Sequence, residues 1–93
     1  MLKQENAEVI GLKALSWLAG NEELLPVFLG ATGASGDELA LRASDPAFLV
    51  SVLEFLMMDD DWVVQFCDSE GLAYEMPMQA KQSLPGGEEV AWT

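Results

Sequence analysis

Residues 45–66 read DPAFLVSVLEFLMMDDDWVVQF. Asp45 has the short acceptor side chain of a helix cap, and Pro46 suits the first helical position, where an N–H is not needed. A helix is therefore expected from about 46 to 57. On its wheel only Ala47, Ser51, Glu54 and Met58 form a polar stripe, and a narrow one. Phe48, Leu49, Val50, Val52, Leu53, Phe55, Leu56 and Met57 cover the remaining surface. A helix apolar nearly all round belongs at the centre of a bundle. This stretch therefore sets the expectation for the whole chain: all-α, a compact orthogonal bundle of five to six short helices around a central helix at about 46–57.

The aspartates that follow raise the question of a site. A calcium loop opening at Asp59 has acids at its positions 1, 3 and 12 (Asp59, Asp61 and Glu70). Positions 5 and 6 are Val63 and Val64, where a ligand and a turning glycine are required. That loop is excluded, and a looser divalent-cation site is the weaker alternative. The simpler reading makes Asp59 the cap of a fifth helix, with Asp60 and Asp61 as first-turn acids beside exposed N–H groups. It does not explain why there are three aspartates where one cap suffices. Asp59, Asp60, Asp61 and the adjacent Trp62 are accordingly kept as a candidate interaction surface. The fifth helix is expected to run to about Ser69, bury Trp62, Val63, Phe66 and Cys67, and stop at Gly71.

Working outward, Ala7, Ile10, Gly11, Ala14, Trp17 and Leu18 share one face of a first helix over about Gln4–Ala19. Gly20 is expected to end it in the left-handed conformation. Val9 and Leu12 fall toward the polar side and could extend an apolar patch. Asn21 caps a second helix with Glu22 and Glu23 in its first turn. Pro26 is awkward at the fifth position, so that helix either starts later or bends. GATGASG (30–36) reads as a loop. Ser35 and Glu38 form a capping-box pattern for a third helix to about Ala43, burying Leu39 and Leu41. A sixth helix is expected near Pro77–Leu84, with Met78, Leu84 and Ala80 as its apolar content, before the break PGG at 85–87. The division is then 1–87 as a single helical domain and 88–93 as a docked C-terminal tail. Trp92 is either the tail's docking group or an anchor for a partner.

The chain has 93 residues, 51% of them hydrophobic, which suffices for one core without metals or disulfides. No apolar run approaches the roughly 20 residues of a membrane span. Glu5, Glu8 and Lys13 interrupt any signal-peptide core, so a cytoplasmic location is expected. There is no histidine and one cysteine, which excludes histidine-based catalytic centres and Cys-rich zinc sites. Sixteen acids face four bases (Lys3, Lys13, Arg42 and Lys81), for a net charge of −12. Residues 43–80 carry eight acids and no base. Such a surface repels phosphate backbones and anionic membranes. A basic protein partner suits it.

No catalytic residue, cofactor site or metal set is assigned. Adjacent solvated aspartates do not face one another across a cleft, as acid/base pairs must. Cys67, on an apolar stripe beside Asp68, is expected to be an unreactive core residue. Of the five methionines, those after the initiator are read as core fillers, with a soft groove near 57–58 and 76–78 as the alternative. The leading function is a small acidic protein-interaction or regulatory module without catalysis, and the alternatives are a divalent-cation-dependent carboxylate enzyme and an acidic mimic of nucleic acid occupying a basic DNA-binding protein.

The segments ALSWLAGNEELLPVFLGATG, DPAFLVSVLEFLMMDDDWVVQFCDSEGL and QSLPGG resemble a family of small alphaproteobacterial proteins known as domain of unknown function 3572. The FLxxTG and DPAFL–LEFL–DDxW patterns carry the resemblance, which extends over essentially the whole chain. It implies an all-helical, cytoplasmic, single-domain protein. It brings no activity, cofactor or catalytic residue.

Overall fold

Six helices follow one another: α1 (Gln4–Ala19), α2 (Leu24–Thr32), α3 (Gly36–Arg42), α4 (Pro46–Leu56), α5 (Asp60–Glu70) and α6 (Met76–Gln82). The computed structural model describes residues 2–87, and among these there is no strand. The protein is an all-α bundle. The expected tail at 88–93, with Trp92, lies outside the described residues.

α4 forms for the reasons its sequence gives. Asp45 Oδ1 accepts the Ala47 N–H at 3.0 Å, and Pro46 occupies the first turn. Seven side chains, Phe48, Leu49, Val50, Val52, Leu53, Phe55 and Leu56, are buried, while Ala47, Ser51 and Glu54 face out. α4 shares the centre with α1, which packs against α4, α6 and α2. The α1–α4 crossing is close at Gly11, where an added Cβ would stand 3.0 Å from Leu49 Cβ. Leu15 joins the expected inner face of α1, and Trp17 is half-buried, edge-on to Phe66 with centroids 6.0 Å apart. A string of aromatic rings ties α2, α4 and α5 together. Phe28 meets Phe48 and Phe55 edge-on at 6.1 and 5.2 Å, and Phe55 stacks on Trp62 at 5.1 Å. The Cα radius of gyration, 12.5 Å, matches the roughly 12 Å of a compact domain of this length.

Five local expectations are corrected. Gly20 is right-handed (φ −86°), because the turn is closed instead by the Asn21 N–H on the Leu18 carbonyl at 3.1 Å. Asn21 Oδ1 accepts from Glu23 and Leu24, and α2 starts at Leu24. Pro26 therefore falls in the first turn, where its missing N–H leaves no helical bond unmade. α2 continues through Gly30 to Thr32, so the loop expected at 30–36 shrinks to 33–35. The stop is Gly33, left-handed at φ 72°, with its N–H on the Leu29 carbonyl. Leu41 is 81% exposed rather than buried. It lies two positions, or about 200°, from Leu39, and a seven-residue helix that buries one turns the other outward. In α6 the inward positions are Pro77 and Ala80, followed by Leu84 just beyond the helix, and Met78 is exposed. At the end of the described chain, a Cβ on Gly87 would overlap the Lys81 carbonyl oxygen.

Candidate functional site

Asp59 takes an extended conformation (φ −138°), and its Oδ1 accepts the Asp61 N–H at 2.8 Å. Asp60 and Asp61 fill the first turn of α5 and are exposed. One aspartate thus caps the helix and two add charge to its start. Among the described residues, no three acids or thiols converge in a way that could hold a metal ion. Trp62 is half-buried rather than buried, and its ring lies nearly parallel to Phe55, at 21°. The triplet is thereby fixed just beyond the outward face of α4.

That face carries a shallow groove of about 640 Å³, lined by Arg42, Asp45, Phe48, Glu54, Phe55 and Met58, with the end of α2 as one wall. Its floor is apolar because Phe48 and Phe55 stand seven residues apart on one side of α4 and Met58 follows just past the helix end. Asp45 and Glu54 flank it. The Arg42 guanidinium lies 5.1 Å from the Phe48 ring centroid, a cation–π distance. The narrow polar stripe expected at Ala47, Ser51, Glu54 and Met58 lines this groove. Met58, expected to fill the core with a groove as the alternative, is exposed and lines this groove. Met57 and Met76 pack against the core, and Met78 is exposed outside the lining.

Charge is little used inside the fold. Lys13 to Glu70, at 3.6 Å, is the one ion pair among the described residues, and it is surface-exposed. Pairs of that kind contribute about 0–1 kcal/mol. Val9 and Leu12 are exposed on α1, as their wheel positions imply.

Cys67 is fully buried, and its thiol donates to the Ala73 carbonyl at 3.5 Å. Burial pushes its pKa up, and the nearby Asp68 and Glu75 push it the same way. The neutral thiol is thus the favoured form. Whatever stability this shift contributes is present below the unfolded-state pKa and is lost as pH rises through the folded one. Alkylation of native protein at mildly alkaline pH is expected to be at least about a hundredfold slower than in denaturant, since the thiolate is both scarce and covered. Mass-spectrometric time courses check this, and equal rates would show an accessible thiol.

No curated protein and no solved structure matches the chain significantly. Among the described residues no helix is long and apolar enough to cross a membrane. The family model described as "Protein of unknown function (DUF3572)" matches residues 4–87, which span all six helices, and the chain belongs to that family.

Proposed function

We propose that this protein is a small acidic interaction module, regulatory rather than catalytic, that binds a basic protein partner in the cytoplasm of an alphaproteobacterial cell. One observation carries the reading. Sixteen acids face four bases, and the fold engages a single ion pair among the described residues, leaving the acidic surface available to a partner. Such a field speeds encounter with a basic surface and weakens with salt. The Asp59–Asp61 turn concentrates that charge beside Trp62, and Trp92 is a second candidate contact.

The test is affinity capture from a lysate of the source organism, comparing wild type with Asp59→Asn, Asp60→Asn and Asp61→Asn combined, at low and high salt. Asparagine is as good a cap as aspartate, so the fifth helix should be retained. The expected result is one basic protein held by wild type at low salt and lost in the triple variant and at high salt. Identical captured proteins for both forms would reduce the triplet to a helix start.

A further inference from the structure

Met58 is 76% exposed and stands at one end of the α4 groove, with the Asp59–Asp61 turn immediately after it. The inner side of α4 is occupied, since Leu49 meets α1 at Gly11. Ala47, Ser51 and Glu54 line the groove from the exposed side of α4, roughly half a turn from Leu49, so the groove lies away from that crossing. We propose that this groove seats a short basic amphipathic helix of the partner. Its apolar stripe lies over Phe48, Phe55 and Met58, and its lysines or arginines face Asp45, Glu54 and the Asp59–Asp61 turn. This rests on the reading of the protein as an acidic interaction module and names the site and the chemistry of its ligand.

The dimensions and charges select that occupant. From Ala47 to Phe55 the lined side of α4 runs about 12 Å, a little over two helical turns, and Met58 extends it past the helix end. Asp45 stands at one end and Glu54 along the side, the Asp59–Asp61 turn follows Met58 in the chain, and the one lining base, Arg42, lies over the Phe48 ring. A second copy of the chain would bring another net charge of −12 against the same acids. The chain's own last residues, EEVAWT, bring two glutamates and no base. A cationic segment is the complement to this groove. Phe48 and Phe55 present little more than ring edges (6% and 4% exposed), so Met58 supplies most of the apolar contact. The charges then make binding strongly salt-dependent.

The test is a fluorescence-anisotropy titration of the full chain with a labelled leucine–lysine peptide of about 15 residues, long enough to become helical. A second peptide has the same composition, scrambled so that its leucines form no stripe. The expected result is low-salt binding of the striped peptide at least about tenfold tighter than the scrambled one. Met58→Ser and Glu54→Gln, both exposed substitutions with unchanged melting temperature, each weaken it about threefold or more, while Glu5→Gln on α1 changes nothing. Equal binding of both peptides, or equal losses in all three variants, overturns the groove while leaving the acidic module intact. No binding of either peptide at low salt overturns both. Tighter peptide binding in Trp92→Ala identifies the chain's own end as the occupant and overturns the partner helix. A dimer in sedimentation that Met58→Ser dissolves does the same in favour of a second copy.

Discussion

Phe28→Ala is expected to lower the melting temperature by roughly 15 °C or more. Phe28 is fully buried and is the one residue of α2 that is. Its ring touches Phe48 and Phe55 edge-on, and Phe55 carries Trp62 in turn. Truncation removes its transfer free energy and opens a cavity where three elements meet, a change that costs about 3–5 kcal/mol. A domain of this size has about 5–15 kcal/mol in total. Relaxation into the void is restricted, because its walls are side chains of α4 held from the other side by α1. Val27→Ala is the companion measurement. Val27 is 52% exposed, next in sequence, and its truncation is expected to cost no more than about 0.5 kcal/mol. Thermal melts followed by circular dichroism compare the two. A Phe28→Ala melt within a few degrees of wild type would mean that the aromatic string is not what joins α2 to α4.

The stretch around α4 and α5 was legible because each signal there has a local cause. Asp45 and Asp59 cap by bonds that reach only two residues ahead, and Gly71 ends α5 left-handed at φ 68°. α2 was less legible for an equally physical reason. Gly30 and Gly33 both read as breaks, but only Gly33 adopts positive φ, and nothing in local spacing distinguishes them. Leu41 was misplaced because Leu39 and Leu41 lie about 200° apart on a two-turn helix, so only one can face the core, and no third apolar position on either side fixes which. Of the candidate site, the triplet's capping role was readable, and so was its excess charge. The groove was not, because it forms only when the ends of α2 and α3 come to rest beside one side of α4, residues 31–32 and 42 against 47–58. Long-range assembly, rather than any motif, creates it. The same distinction separates Trp62 from the core stripe it was expected to join. Its position on α5 was clear, but half-burial against Phe55 depends on how α5 docks.

Gly11→Leu is expected to destabilise by about 1–3 kcal/mol, despite replacing the second-worst helix former with one of the best. The gain in propensity, about 0.8 kcal/mol, is outweighed by overpacking. The first carbon added at Gly11 already meets Leu49 Cβ at 3.0 Å and both Leu49 methyls at 3.4 Å. The rest of a leucine has no space without separating α1 from α4. Leu49 cannot yield easily, since its Cβ moves only with the α4 backbone. Gly30→Ala provides the opposite case in the same fold. Gly30 is also helical, in α2, but a Cβ there has nothing within 4 Å. Propensity then acts alone, and a gain of about 0.5–1 kcal/mol is expected. The pair isolates distance to a neighbouring helix as the deciding variable. Urea titrations that give both changes the same sign would show that α1 and α4 do not cross at Gly11. With the expected opposite signs, the inner side of α4 is committed to α1, and the outward side is the one available for a ligand.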